Sequence, residues 1–210
     1  SIPSSLRCID GISSGTVNND NMRTFYNSTY IDSVYWNANN CLVSQPFYAS
    51  WNPRIRVVEF GDSIRYIRDK FCYEFDSLTT VIYPKHVKRI GGYAFYDCDK
   101  LTEFTIQDSV TTIAGYAFDG CDNLTTVEWG KNLKTIGAYA FDNTGLRSLI
   151  LHEGIDSIAQ GAFANCNKLK VVSIPSSLRC IDGISSGTVN YSDRRTFYLS
   201  NYIDSVYWYA

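Results

Sequence analysis

The stretch "IAGYAFDGCDNLTTVEW", residues 113–129, decides the fold because it returns along the chain with small changes. Its counterparts begin at Ile67, Ile90, Ile136 and Ile158. The counterpart from Ile67 keeps the spacing but has Phe71-Cys72 where the others have Ala-Phe. Similarity at a fixed period of roughly 20–50 residues is typical of repeat architectures, in which each unit forms one coil and stacked neighbours complete its core.

Isoleucines mark the period of this repeat. They occupy positions 67, 90, 113, 136, 158 and 181, with spacings of 23, 23, 23, 22 and 23 residues. The short unit has "DNTGL" where the preceding unit has "DGCDNL". We expect these isoleucines to form one interior column, since a single coil cannot bury its own apolar face.

Each unit contains a strand pattern followed by a turn pattern. Leu124, Val127 and Trp129 alternate with Thr and Glu, as in a half-buried strand. The equivalent apolar sets are Leu78-Val81-Tyr83, Leu101-Phe104-Ile106, Leu146-Leu149-Leu151 and Leu169-Val172-Ile174. The Ala-Phe-x-x-Cys piece is too short for a free-standing helix and predicts a single helical or 3-10 turn. The predicted fold class is therefore an α/β solenoid, mainly β, with coils of about 23 residues.

The pattern L-x-x-[VIF]-x-[IWLY]-x-x-x-[VL]-x-x-I-x-x-x-A-F-x-x-C, clear over residues 67–184, resembles the BspA-type leucine-rich repeat. That family is found on the surfaces of bacteria and parasitic protists. The resemblance implies a leucine-rich-repeat solenoid, adhesion to host or matrix proteins, and contact between cells. It also implies an extracellular or cell-surface location, and it transfers no catalytic residues.

A longer repeat surrounds the short one. Residues 173–210 match residues 1–38 at 31 of 38 positions, at an offset of 172. We expect one solenoid over 1–210, with seven coils in 1–172 and the start of the next period in 173–210. Two explanations for the matching ends stay open: the chain is cut from a longer tandem array, or its ends dock onto other copies to build a filament. Threading the first copy on the coil frame gives inward positions to Ile2, Leu6, Ile9, Ile31, Val34 and Trp36. A next, irregular coil is expected to place Leu42 and Phe47 in the Ile and Phe roles and to form its strand with Ile55, Val58 and Phe60.

Two long excursions, 10–30 and 182–202, are expected to replace the Ala-Phe turn and are candidate partner-binding segments. The alternative is an insertion that packs on its own coil. The residue types in them that favour interfaces are Arg23, Phe25, Tyr26, Arg195, Phe197 and Tyr198. A column of Tyr93, Tyr116 and Tyr139 is either a further binding face or a stack that shields the edge of the solenoid.

Cysteines and sequons add further candidates. Cys98, Cys121 and Cys166 share one position with Thr144, and we expect buried free thiols that act as small apolar groups or cap amides of the turn. A Cys98–Cys121 disulfide is the alternative. Cys8 and Cys180 are expected to face outward. The candidate glycosylation sites are Asn27 and Asn190, which lie in the excursions, and Asn123, which we expect to be less accessible.

Composition and motifs exclude several classes of function. The net charge is −2 with no run of like charges, which argues against nucleic-acid binding. No apolar run approaches the roughly 20 residues of a membrane span. No G-x-S-x-G, Walker or HExxH motif occurs, His86 and His152 have no evident partner, and Asp119, Asp122 and Glu128 are expected to be solvated.

The sequence therefore predicts a non-catalytic protein without a cofactor or metal. The leading hypothesis is an extracellular or cell-surface adhesive scaffold that binds a host, matrix or cell-surface protein or a glycan. A subunit that forms filaments by end-to-end stacking, and an intracellular interaction module, are the alternatives.

Overall fold

The structure is a computed structural model that describes residues 31–37, 54–181, 196–197 and 199–208 of the 210-residue chain. Over these ranges the chain is a mainly β solenoid, as predicted, with eight longer strands and six shorter strands. The longer strands are β1 (Ser33–Trp36), β2 (Val57–Phe60), β4 (Thr80–Ile82), β6 (Glu103–Thr105), β8 (Thr126–Glu128), β10 (Ser148–Ile150), β12 (Val171–Ile174) and β14 (Ser205–Trp208). The shorter strands are β3 (Tyr66–Ile67), β5 (Arg89–Ile90), β7 (Thr112–Ile113), β9 (Thr135–Ile136), β11 (Ser157–Ile158) and β13 (Cys180–Ile181).

The shorter strands form one parallel sheet in the order β13-β11-β9-β7-β5-β3. Its register pairs Ile67 with Ile90, Ile90 with Ile113, and so on to Ile181, which confirms the isoleucine column. The described side chains of this column, from Ile67 to Ile158, have no accessible surface. The coil period is therefore set by one apolar residue that each coil supplies to the core.

The longer strands form the opposite wall of the core in three parallel sheets, β1-β2-β4, β6-β8 and β10-β12-β14. In the first, Val34 pairs with Val58 and Trp36 with Phe60, which confirms the frame predicted for residues 31–36 and 55–60. Five predicted inward positions lie outside the described residues: Ile2, Leu6, Ile9, Leu42 and Phe47. The predicted inward sets are confirmed as well, although Val81, Val127 and Trp129 are only partly buried against the core.

Phenylalanine rings form a continuous stack through the core between the two walls. The stack consists of Phe95, Phe118, Phe141, Phe163 and Phe197, with successive ring centroids 5.2, 5.0, 5.5 and 5.8 Å apart. A backbone hydrogen bond accompanies this stacking, since the amides of the first four Phe residues donate to the carbonyl one coil further on, as Phe95 does to Ala117 at 2.8 Å. The ring spacing matches the rise between strands of about 4.8 Å.

The Ala-Phe segment is not a helical or 3-10 turn, so that expectation was wrong. Two residues of each turn have positive φ, Tyr116 (59°) and Gly120 (77°) in one coil and Tyr93 (55°) and Asp97 (50°) in the coil before it. These left-handed residues alternate the direction of the amides, so that Phe118 donates to the next coil while Asp119 donates back to Tyr116. A helix would keep every hydrogen bond inside the turn and leave the stacked coils without this ladder.

The last described coil corrects a second expectation. Thr196 and Phe197 occupy the Ala and Phe positions, because Thr196 accepts the amide of Phe163 at 2.8 Å and the Phe197 ring stacks on Phe163. Ser200 takes the position of the cysteine column. The excursion that follows Ile181 therefore precedes the Ala-Phe turn and does not replace it.

Candidate binding surfaces

The tyrosine column is a stack of three half-buried rings on one edge of the solenoid. The rings of Tyr93 and Tyr116 lie 4.7 Å apart and 4° from parallel, and those of Tyr116 and Tyr139 lie 5.1 Å apart and 16° from parallel. The structural interpretation of this column, stacking along the solenoid, is thus confirmed. Whether the same rings contact a partner stays a prediction.

At each end of the tyrosine column, the neighbouring coil has a different residue at the equivalent position, Lys70 at one end and Gly161 at the other. The ammonium group of Lys70 lies 5.4 Å from the centroid of the Tyr93 ring, a cation–π contact. At the other end a Cβ on Gly161 would lie 2.3 Å from the Tyr139 ring, so only glycine fits beneath it. The column is therefore a rigid unit whose rings are fixed before any partner arrives.

A second coil position lies beside the tyrosine column and holds aromatic rings in two coils and carboxylates in the next two. Tyr73 and Tyr96 stack at 4.9 Å. Burial, followed by the charge of Glu74, raises the pKa of Tyr73 to about 12. In the next two coils the same position holds Asp119 and Asp142.

These carboxyl groups differ from the solvated charges that the sequence suggested. Burial first, and then the charges of Asp142 and Asp97, raise the pKa of Asp119 to about 7. Burial also raises the pKa of Asp142, although Asn165 donates a hydrogen bond of 2.8 Å to its carboxylate. The expectation was wrong for Asp119 first because its carboxyl group is half-buried, and then because the stacking of coils places the charges of Asp142 and Asp97 near it. Glu128, by contrast, is exposed and accepts a hydrogen bond from Thr105.

The cysteine column consists of buried free thiols, as expected. Cys98, Cys121 and Cys166 each donate from sulfur to a carbonyl oxygen of an earlier coil, at 3.2, 3.0 and 3.2 Å. The predicted capping of amides by sulfur was therefore wrong in direction. Ser200 both accepts the amide of Cys166 and donates to the carbonyl of Phe163. Burial raises the pKa of Cys98 well above its ordinary value and that of Cys166 to about 11, so these thiols are poor nucleophiles.

The remaining candidates fall partly outside the described residues. Cys180 is exposed, as predicted, whereas Cys8 lies outside. Several other candidates also lie outside the described residues, and their proposed roles stay predictions: Arg23, Phe25, Tyr26, Asn27, Asn190, Arg195 and Tyr198. Phe197 is described, and one face of its ring covers Phe163. Asn123 is exposed, so the expected poor access was wrong, although its amide nitrogen donates to the Asp99 carbonyl at 2.8 Å.

The two histidines differ in their surroundings, since His152 contacts backbone carbonyl groups whereas the buried Nε2 atom of His86 has no hydrogen-bond partner among the described residues. The ring nitrogens of His152 lie 2.6 Å from the carbonyl oxygen of Glu153 and 2.7 Å from that of Gly130. These partners are backbone groups, whereas general acid–base catalysis needs a reacting group within reach. In the described ranges no three His, Cys, Asp or Glu residues group as a metal site. Nor does any helix there have the length and apolar character of a membrane span.

The sequence reasoning missed one surface feature, which we call the cationic recess. It is an open cavity of about 530 Å³ lined by Arg147, Asn167, Lys168, Lys170 and Tyr202. The signal was present in the sequence, since the recess lies beside the short "DNTGL" unit, where the next coil has "NCNKL". Lys168 aligns with the missing residue and reaches back two coils to the carbonyl of Asp122 at 3.2 Å.

Comparison with known proteins agrees with this architecture. The model of the BspA type leucine rich repeat region matches in 6 copies over residues 5–102 and 88–209. The leucine-rich repeat protein of T. pallidum is 24% identical over 61% of this chain and 69% of that chain, with a TM-score of 0.55. A leucine-rich repeat protein from Eubacterium ventriosum is 13% identical over 78% of this chain and 62% of that chain, with a TM-score of 0.51.

This chain thus spans less than two thirds of the Eubacterium protein, and both structures support the fold alone. No curated protein sequence matches the chain. The family model covers nearly the whole chain, in agreement with the repeat pattern, and the chain therefore belongs to the BspA type leucine rich repeat family.

Proposed function

We propose that the protein is a non-catalytic adhesive scaffold, secreted or at a cell surface, that binds a host, matrix or cell-surface protein through the tyrosine column. The repeat family, whose members present solenoid surfaces to proteins, supports a protein-binding scaffold. The single observation that carries the proposal is the stack of Tyr93, Tyr116 and Tyr139 on one edge of the solenoid.

The physical reason is pre-organisation. Tyrosine supplies a large contact surface that ends in a hydroxyl group, and interfaces concentrate their affinity in such residues. An isolated surface tyrosine loses rotamer freedom when a partner binds, which weakens association. The rings of this column are already held by their neighbours and by Lys70, so a partner meets a row of phenol groups whose order has been established by folding.

The test is the binding of the purified protein to an immobilised panel of extracellular-matrix proteins. Replacing Tyr93, Tyr116 and Tyr139 together by Phe keeps the stack but removes the phenol hydroxyls, and we expect affinity for the bound panel member to fall at least tenfold. Tyr66→Phe is the matched control, because Tyr66 is 56% exposed on the short strand β3 and outside the column. Unchanged binding by the triple variant, or absence of binding to every panel member by the wild-type protein, contradicts the proposal.

A second candidate function is a filament subunit. It is favoured by the contrast between two identical strands, "SVYW" in β1 and β14. Val34 in β1 is 7% exposed and Val206 in β14 is 60% exposed, although each pairs with one neighbouring strand, β2 for Val34 and β12 for Val206. Elongation that rises with concentration in light scattering and is abolished by Val206→Lys supports the filament. A monodisperse monomer at all concentrations excludes it.

A further inference from the structure

We propose that the cationic recess binds an acidic saccharide, meaning a sugar ring that carries a carboxylate or sulfate group. This inference goes beyond the proposed function, because the recess uses different positions of the coil from the tyrosine column and does not depend on it.

The first step is a departure from the repeat. The position after the strand-initiating leucine is threonine in three consecutive coils, Thr79, Thr102 and Thr125. The hydroxyls of Thr79 and Thr125 each donate to a carbonyl oxygen of the preceding coil, at 3.1 and 3.3 Å. The next two coils have Arg147 and Lys170 instead, while the coil before Thr79 has Arg56 and the coil after Lys170 has Asp204.

This departure works against stability. The amide of Lys170 donates to the carbonyl of Arg147 at 3.0 Å, so the two cations are neighbours on adjacent coils. Like charges in such neighbouring positions are destabilising, whereas threonine in their place would add hydrogen bonds. A local choice that opposes folding is expected where a site performs a function.

The second step is the charge. Within the described ranges neither Arg147 nor Lys170 has an ion pair with N–O separation of 4.0 Å or less. Lys168 is partly compensated, since its ammonium group donates to the Asp122 carbonyl at 3.2 Å. Its charge also opposes the rise in the pKa of the Asp122 carboxyl that burial and then Asp99 cause. The positive charge of the recess therefore comes mainly from Arg147 and Lys170, and one carboxylate, Asp204, follows Lys170 in the same column, since its amide donates to the Lys170 carbonyl at 2.8 Å.

The third step is the shape. The coil that contains Gly145 is one residue shorter than its neighbours, and a Cβ on Gly145 would lie 2.5 Å from the carbonyl oxygen of Asp122. This corner therefore carries no side chain, and the cavity of about 530 Å³ is lined by Arg147, which follows it, and by residues of the next two coils. That volume is within the range of about 300–1,000 Å³ that is typical of small-ligand sites.

The lining then selects the ligand class. The Arg147 guanidinium can form two parallel hydrogen bonds with a carboxylate or sulfate, and Lys170 adds a second charge. Tyr202 is 63% exposed and offers a flat apolar ring for the C–H face of a sugar. Asn167 supplies both a donor and an acceptor for sugar hydroxyls. An inorganic anion would leave Tyr202 and Asn167 unused.

The test is isothermal titration of the purified chain with four probes: a sulfated, uronate-containing disaccharide, a neutral disaccharide of equal size, inorganic sulfate, and hexaglutamate. We expect the acidic disaccharide to bind at least tenfold more tightly than each of the other three. The double variant Arg147→Thr/Lys170→Thr should reduce that affinity at least tenfold, and Tyr202→Ser several-fold. The midpoint of unfolding of the double variant should be equal to or above that of the wild type, because Thr restores the repeat.

The matched control is Arg65→Thr/Lys88→Thr. It removes two cations that are also neighbours on adjacent coils, since the Lys88 amide donates to the Arg65 carbonyl, but in another column. It should leave affinity unchanged. If the Thr variant does not fold, Arg147→Gln/Lys170→Gln takes its place.

No binding of the acidic disaccharide, equal binding of sulfate, tighter binding of hexaglutamate, or equal loss in the control overturns the proposal. Because the tyrosine variants and the matrix panel are measured separately, failure here leaves the proposed adhesive function standing.

Discussion

Tyr116 offers a test in which glycine should be a better replacement than alanine. Its φ is 59°, in the left-handed region that L-residues with a Cβ avoid. Both Tyr116→Ala and Tyr116→Gly remove the ring and so lose the same two stacked contacts, with Tyr93 and Tyr139. Only the glycine variant also relieves the backbone strain, so the difference between the two variants measures that strain less the extra chain entropy of glycine.

The expected magnitudes follow from these contacts. Each stacked pair contributes about 0.5–1.5 kcal/mol, so either variant loses about 1–3 kcal/mol of unfolding free energy. Alanine keeps a left-handed strain of about 1–2 kcal/mol, which glycine removes, while glycine adds about 0.5–1 kcal/mol of entropy to the unfolded chain. The glycine variant should therefore be more stable than the alanine variant by about 0.5–1 kcal/mol.

Urea unfolding followed by circular dichroism measures this difference, with the midpoint compared at constant slope. Ala117→Gly is the control at the adjacent buried position, where φ is not positive. There glycine should destabilise the protein by about 1–2 kcal/mol, through the lost methyl group and the added chain entropy. An alanine variant at position 116 that equals or exceeds the glycine variant in stability refutes the left-handed turn.

Three further predictions concern the carboxyl and cysteine columns. Because the pKa of Asp119 is raised to about 7 in the folded state, the folded protein keeps this proton while the unfolded chain loses it near 3.8, so stability falls as pH rises from about 4 to 7. Asp119→Asn should therefore raise the free energy of unfolding by about 1 kcal/mol at pH 8, a figure reduced for solvent screening of the half-buried carboxyl, and should not change it at pH 3. The control Glu103→Gln, at an exposed position, should not change the free energy of unfolding at either pH. Urea midpoints at both pH values measure this, and a gain that does not change with pH contradicts the prediction. Among the described cysteines, alkylation of the native protein should modify Cys180 alone, and the four buried thiols, Cys72, Cys98, Cys121 and Cys166, only after unfolding. Intact mass after timed labelling measures this, and rapid labelling of the four buried thiols in the native protein contradicts their place in the core. Cys121→Ser should keep the hydrogen bond to the Phe95 carbonyl, because Ser200 donates an equivalent hydrogen bond to the Phe163 carbonyl. In thermal unfolding this variant should be more stable than Cys121→Gly by about 1 kcal/mol or more. Equal stability of the two variants argues against that hydrogen bond.

Much of the fold could be predicted because equivalent apolar side chains recur once in each coil, at the coil period. The isoleucines and the Leu-Val-Trp sets recur at one spacing, and stacking is the arrangement that buries all of them. Thus the column from Ile67 to Ile158 and the pairing of Val34 with Val58 are confirmed. The column of tyrosines followed from the same spacing, since equivalent residues of stacked coils are neighbours.

The local backbone and the charged groups could not be predicted in this way. Residues such as Tyr93 and Tyr116 do not favour positive φ, and only the ladder between coils requires it, so the turn was misassigned as helical. The raised pKa of Asp119 depends on the depth of one carboxyl group beside others, which a spacing does not give. The positions of Thr196 and Phe197 depend on where an insertion rejoins the coil, and the cationic recess depends on one missing residue.

The most direct measurement of the central claim is a NOESY spectrum of protein labelled with ¹³C only at isoleucine δ1 methyl groups. If the isoleucines form one column, cross-peaks should link Ile67 to Ile90, Ile90 to Ile113, Ile113 to Ile136 and Ile136 to Ile158, each to its neighbour and to no other member. A cross-peak that joins Ile67 to Ile136, or missing contacts between successive members, contradicts the stacked solenoid and every surface derived from it.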